Sequence, residues 1–387
     1  MFDFSKYINY IPLILAGFAI TALITPFIIK LALKFGVYDK PKNEVSNELR
    51  GSDTILHNQR MPRMGFVAVI IPLFLIAPFF IPITFKIVVI GFTILILAIL
   101  GILDDKYKLS SAPQFLVQII CIIIVILCGV SIDEANNPFT GSFINFDRGH
   151  FIFNLFGHSA SLTLLSIIVT FIWIIFITNA INWSDGVDGV LNGTVAISLL
   201  IILLVSIRND SPFSAIIAAI FLGANLGFLP YNFAPARIIN GYGGTIYGYI
   251  IGILAILGQV KLSIALLAII IPVIDVIWVI SHRIKVYKPK SIKAFAKAVT
   301  TPGKVHFHHR LMDAGLSIRK VALTEYVLAA ATGLVAILLS GLELTFLVIS
   351  SVLGVLLIFI ILDKIRQRKV IKEKKQCLII SIKKKTE

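Results

Sequence analysis

Three polar clusters interrupt an otherwise apolar chain. The stretch Asn179-Ala-Ile-Asn182-Trp-Ser-Asp185-Gly-Val-Asp188-Gly-Val190 carries two carboxylates three residues apart, which would share a face and could share a cation if the segment opened a helix. Gly186 and Gly189 leave room for close approach of a ligand. A second pair, Asp104 and Asp105, ends an apolar run. Helical neighbours point about 100° apart, so one carboxylate can face a metal while the other takes or orients a proton. A solvated helix end is the bland alternative, but the helix dipole disfavours acid at a C-terminus. The third cluster, His306-Phe-His308-His309-Arg310, could ligate a metal or donate to a phosphate.

The elements that must position these groups are membrane helices. Hydrophobic residues make up 58% of the chain and charged residues 14%, with a mean hydropathy of +0.95, so the class is an all-α polytopic membrane protein. At roughly 17–25 apolar residues per span, eleven transmembrane helices are expected, near 9–33, 65–84, 87–103, 114–131, 161–181, 190–207, 213–230, 243–258, 262–281, 321–340 and 343–363. Residues 1–363 would form one integral-membrane domain and 364–387 a basic cytoplasmic tail that contacts the membrane surface. The first apolar run is too long for a cleaved signal and lacks a basic leader, so it reads as a span. Cys121, Cys128 and Cys377 support neither disulfides nor zinc.

Most of the 35 Lys and Arg fall after odd-numbered spans or in the tail, with Lys6, Lys86, Arg148, Arg208 and Lys261 on the other side. By the positive-inside rule the N-terminus is outside and the C-terminus cytoplasmic. The net charge of +15 is then a topology signal and an attraction for anionic lipid, with no nucleic-acid partner implied. All three clusters, with Asn232 and Tyr242, fall on the cytoplasmic side, where water-soluble substrate and lipid head group could meet. An ion-coupled transporter is the alternative class, but its site would lie at the bilayer midplane. Only Asp275 lies well inside a span, where a hydrogen bond within the bundle beside Pro272 is the simpler reading. Gly244, Gly248 and Gly252 read as close helix packing, residues 132–159 as an outside hairpin, His150 and His158 as structural, and His57 as without a role.

In this order the motifs resemble the polyprenyl-phosphate N-acetylhexosamine-1-phosphate transferases of glycosyltransferase family 4, relatives of the phospho-muramoyl-pentapeptide transferase. Supporting stretches are Pro62-Arg-Met-Gly65, Leu226-Gly-Phe-Leu-Pro-Tyr-Asn232 and Ile271-Pro-Val-Ile-Asp275. The resemblance implies transfer of an N-acetylhexosamine 1-phosphate, with the histidine motif leaning to N-acetylglucosamine, from a UDP-amino sugar to polyprenyl (undecaprenyl) phosphate with release of UMP. The setting would be the cytoplasmic face of a prokaryotic plasma membrane, at the start of cell-envelope glycan assembly. It implies Mg²⁺, with Mn²⁺ as a substitute, held by Asp105, Asp185 and Asp188. Asp104, Asp105, Asp185 and Asp188 would be catalytic, with Asp104 orienting or deprotonating the lipid phosphate. Asn182, Asn232, His306, His308, His309 and Arg310 would bind substrate. A homodimer is left open.

Three positions depart from the family pattern. Tyr242 stands where the family places a Mg²⁺-ligating Asp, Gln114 where it places a phosphate-contacting Lys, and Phe66 where it places a glycine. A phenol is a poor ligand for Mg²⁺, which prefers hard oxygens. A catalytically altered member that binds lipid or nucleotide sugar is therefore the alternative to an active transferase.

Overall fold

The computed structural model describes residues 5–41, 57, 59–137, 142–146, 149–155, 158–260, 262–301, 305–339 and 341–386. Each of the eleven apolar stretches contains helix. In chain order they are α1 (Ile11–Lys34), α2 (Gly65–Ile76), α3 (Phe85–Tyr107), α4 (Ser111–Leu127), α5 (Leu164–Trp183), α6 (Val190–Arg208), α7 (Pro212–Asn232), α8 (Gly243–Leu257), the bent pair α9 (Leu262–Ala268) and α10 (Ile270–Tyr287), then α13 (Ile318–Leu338) and α14 (Gly341–Thr386). Between the last spans lie the short helices α11 (Ile292–Thr300) and α12 (Phe307–Asp313).

Among the described residues seven helices are long and apolar enough to cross a membrane, or eight if α9 and α10, bent by 81°, count as one span. That number, short of the eleven expected, is what helix length and composition support. Gly65–Phe79, Ser111–Leu127 and Gly243–Leu257 are apolar but fall in the 10–17 residue class. At about 1.5 Å per residue such helices fall short of the roughly 30 Å hydrocarbon core. The polytopic helical class stands.

The segment between α4 and α5 forms two hairpins, β3 (Glu134–Asn136) with β4 (Phe143–Asn145) and β5 (His150–Leu155) with β6 (His158–Thr163). The side chains of His150 and His158, and those of the basic tail from 366 onward, lie outside the described residues. The tail backbone continues α14 without a break.

Helix α6 is the centre of the bundle, with 83% of its apolar window buried. Backbones come into contact where glycines remove the side chain. A Cβ on Gly223 would sit 1.9 Å from the Ile14 carbonyl oxygen of α1, and one on Gly227 would sit 2.4 Å from that of Phe18. The glycines of α8 act likewise. Gly244 and Gly248 lie against the backbone of Asn182 and Thr178, each 2.7 Å from a hypothetical Cβ, whereas Gly252 has ordinary clearance at 3.6 Å. This seam locks the N-terminus of α8 to the C-terminus of α5, next to the polar stretch that follows it.

Candidate active site

The first carboxylate pair ends α3, and its two members diverge as helical neighbours must. Asp105 points inward and is 2% exposed. Arg63 Nε donates to its Oδ1 at 2.8 Å and the Met64 N–H to its Oδ2 at 3.0 Å. Arg63 also reaches both oxygens of Asp39, at 3.1 and 3.0 Å, and Lys108 Nζ donates to Asp39 Oδ1 at 2.9 Å. Burial opposes the Arg63 charge, but Asp105 and Asp39 outweigh it and raise its pKa, so the guanidinium is a permanent counter-ion. This removes the penalty of acid at a helix C-terminus. Asp104 is only partly buried and accepts a hydrogen bond from Gln114 Nε2 at 2.8 Å.

Local strand pairing explains why Arg63 is there. Strand β1 (Tyr38–Asp39) pairs antiparallel with β2 (Met61–Pro62). Ile239 N–H then donates to Pro62 O, Gly65 N–H to Ile239 O and Phe66 N–H to Asn240 O. Gly241 follows with φ +70°, and a Cβ there would lie 2.0 Å from Asp105 Oδ2. Only glycine meets both demands. Phe66 is fully buried and its ring faces Gly101.

Asp185 and Asp188 lie in the turn between α5 and α6, not within a helix, so they do not share a face as helical spacing would give. Gly189, with φ +81°, starts α6 in a left-handed conformation that separates their directions. Asp188 accepts the Ala236 N–H at 3.1 Å and lies 3.2 Å from His57 Nε2, a residue given no role by its position in the sequence. Asp185 turns the other way and accepts from Asn240. Asn240 continues a buried polar chain: its Nδ2 donates to Asn192 Oδ1 at 2.6 Å, Asn192 donates to Asn225 Oδ1 at 3.0 Å, and Tyr247 OH donates to Asn240 Oδ1 at 3.1 Å. Burial pushes the Asp185 carboxyl up to about 7, with Asp105 and Asp188 adding to the rise and Arg63 and Asn240 opposing it.

The histidine loop closes over this turn. A Cβ on Gly186 would sit 2.2 Å from His308 Nε2, so the ring rests directly on the glycine between the two acids. His308 is 2% exposed. Burial, with His309 and His306 adding, pushes its pKa well below the ordinary histidine value, so it is neutral. The His306 ring stacks parallel on His308 at 5.5 Å and meets the Trp183 edge at 6.4 Å, while His309 lies 4.5 Å from His308.

Some expected substrate contacts have other partners. Asn232 accepts from Gly189 N–H at 3.1 Å and donates to Ile238 O at 3.0 Å, so both ends of its buried amide hold backbone. Arg310 is 1% exposed, donates to Val305 O at 2.9 Å and Asp363 at 2.8 Å, and lies over Trp278 and Phe359. In this arrangement both side chains tie the structure together, as buried polar groups must be paired. Asn182 stays at the α5–α8 seam, its Oδ1 3.0 Å from a hypothetical Gly244 Cβ.

The expected metal residues Asp105, Asp185 and Asp188 are not drawn together as a ready three-ligand group. Among the described residues no group of three or more His, Cys, Asp and Glu is arranged to hold a metal. Asp105 and Asp188 each have both oxygens engaged. Tyr242 is no ligand in this arrangement either. Its OH accepts from Gln118 at 3.3 Å, and burial pushes the phenol up to about 12. The other two carboxylates are Asp185, raised by burial, and partly accessible Asp104, and a hard cation commonly takes only one or two carboxylates together with substrate phosphate. Beside Asp188 opens a cleft of about 780 Å³ lined by His57, Gln59, Ala236, Ser317 and Arg319.

The model of glycosyl transferase family 4 matches residues 87–259, which include all four aspartates. A probable undecaprenyl-phosphate N-acetylglucosaminyl 1-phosphate transferase of Bacillus subtilis (strain 168) is 32% identical over 330 residues, 82% of each chain. A decaprenyl-phosphate N-acetylglucosaminephosphotransferase of Mycobacterium leprae (strain TN) is 26% identical over 256 residues, 59% of this chain and 58% of its own. A phospho-N-acetylmuramoyl-pentapeptide-transferase of Staphylococcus epidermidis is 26% identical over 334 residues, 83% of this chain and 97% of its own.

Proposed function

The chain belongs to glycosyl transferase family 4, and from that premise we propose that it transfers N-acetylglucosamine 1-phosphate from UDP-N-acetylglucosamine to polyprenyl phosphate, releasing UMP. The observation that carries the proposal is the seating of His308 on Gly186. That contact sets a histidine cluster, suited to diphosphate, against a carboxylate turn suited to a cation, and Arg63 lies within electrostatic reach of both Asp185 and Asp104. The reaction is a phosphoryl transfer: an oxygen of the lipid phosphate attacks the sugar-bearing phosphorus, and the bond to the UMP oxygen breaks. Asp104, held by Gln114, orients the attacking phosphate. Asp185, with Asp104, would hold Mg²⁺, which when bound neutralises the clustered phosphate charge. Asp105 stays paired with Arg63 and fixes the loop at 239–242, while Asp188 and His57 form the edge of the cleft that takes the nucleotide. His306 and His309 face the diphosphate, and neutral His308 is the spacer that fixes their distance from Asp185.

In this reading the site faces the cytoplasm and the N-terminus lies outside, on the positive-inside rule applied with the three shorter apolar helices counted as spans. The membrane is a bacterial plasma membrane. Membranes containing the chain should form polyprenyl diphosphate N-acetylglucosamine from the two substrates in the presence of Mg²⁺, and chelation should abolish the product. Binding of both substrates without any product would overturn the reading in favour of a binding protein.

A further inference from the structure

We infer that Asp275 is a positioning residue for this reaction, holding His306 in its Nδ1–H form and fixing the N-terminus of α12, so that the opposite ring nitrogen, Nε2, is offered to phosphate. The inference rests on the function proposed above. Asp275 lies on α10, 3% exposed, just after the 81° bend of the broken span. Its Oδ2 is 2.7 Å from His306 Nδ1, and its Oδ1 accepts the Phe307 N–H at 2.8 Å. Both partners lie in the histidine loop, 31 and 32 residues downstream. A hydrogen bond confined to the bundle is therefore not what this carboxylate makes.

The chemistry of the pair is directional. An ionised carboxylate only accepts, so the ring nitrogen that faces it must carry the proton. Nδ1 and Nε2 lie on opposite edges of the ring, and Nε2 therefore points away from Asp275. Stacking on His308, together with the Trp183 edge, restrains ring rotation. The charged neighbours of Asp275 are Arg283 on the same helix and Glu325 on α13. Glu325 Oε1 has no hydrogen-bond partner among the described residues, so that oxygen makes no competing hydrogen bond to the loop. Second partners that set the tautomer and orientation of a working histidine are typically worth about 10- to 100-fold in function.

Asp275→Asn tests this. The backbone N–H of Phe307 needs the one remaining carbonyl oxygen, which puts the amide NH₂ against His306 Nδ1 and forces that nitrogen to accept. The variant is isosteric, so the expected result is an inverted His306 tautomer, a fall of about 10- to 100-fold in kcat with a smaller change in KM, and an unchanged melting temperature. The tautomer is read from ¹⁵N shifts of labelled histidine in the full-length protein in detergent, with His306→Gln identifying the resonance. An uninverted tautomer overturns the inference, as does an inverted one with full activity. If the wild-type protein makes no product, the proposed function fails, while the tautomer readout still decides whether Asp275 governs His306.

Discussion

Gly186→Ala is the sharpest single perturbation of this site. The added Cβ would stand 2.2 Å from His308 Nε2 and 2.5 Å from Cε1, where ordinary contact begins at 3.4 Å. The ring must therefore retreat by about 1.2 Å, the difference between those distances. It has little room, being buried, stacked on His306 and in tilted contact with His309. Overpacking of this kind costs roughly 1–3 kcal/mol. A displacement near 1 Å in a positioned catalytic group costs about 10²-fold in rate. Transfer of N-acetylglucosamine 1-phosphate in membranes should thus fall by about two orders of magnitude, with a modest loss of thermal stability in detergent. Gly186→Ser should behave the same way. Full activity in the alanine variant would refute the claim that the histidine stack is registered on the carboxylate turn.

Other outcomes follow from the same contacts. Asp185→Asn should abolish Mg²⁺-dependent transfer, since Asp185 is the least neutralised carboxylate. Its stability effect has a definite sign. The folded carboxyl titrates at about 7, above its ordinary value of 3.8, so the metal-free fold loses stability as pH rises from roughly 4 to 7 and the group ionises. Asn removes that loss, and thermal unfolding without metal should show the variant gaining on wild type across this window and matching it below. Arg63→Gln leaves Asp105 and Asp39 without their shared counter-ion, and the expected destabilisation is about 3–5 kcal/mol in chemical unfolding. An effect below 1 kcal/mol would mean that Lys108 or solvent replaces the guanidinium.

The order of helices and the identity of the polar clusters were legible because each depends on local pattern. Apolar runs mark helices wherever the chain must satisfy its own backbone. Crossing the membrane was less legible, since it depends on where helices stop: a left-handed Met64 precedes α2, and α9 breaks at Ile269. What the pattern could not reveal is the pairing of distant residues. Arg63 finds Asp105 across 42 positions, and His57 meets Asp188 across a greater separation still. The chain from Asp185 through Asn240 and Asn192 to Asn225 joins two loops and two helices whose contact only packing creates. The partner of Arg310 is hidden for the same reason, as its position beside three histidines gives no sign that it turns to Asp363 on α14. The signal available in hindsight is polarity inside apolar helices. Asn192, Asn225 and Asp275 are polar residues within apolar stretches, and each is paired.

Two of the three departures from the family pattern, Gln114 and Tyr242, occupy one neighbourhood, and their charge changes cancel. Gln114 contacts Asp104 directly, and Tyr242 lies within the electrostatic reach of the same residue. Losing one cation and one anion together leaves the net charge around Asp104 unchanged. Restoring only the anion, in Tyr242→Asp, puts a carboxylate beside Asp104 in a site that holds Tyr242 4% exposed. An unpaired charge there costs about 3–5 kcal/mol. Restoring only the cation, in Gln114→Lys, pairs Asp104 and ties up a carboxylate that the attacking phosphate needs. The double variant rejoins the pair. A double-mutant cycle on thermal stability should therefore give a favourable coupling above 1 kcal/mol, within the range for residues in one electrostatic network. Additive effects would show that the two positions changed independently and that neutral Tyr242 and Gln114 are not a matched set.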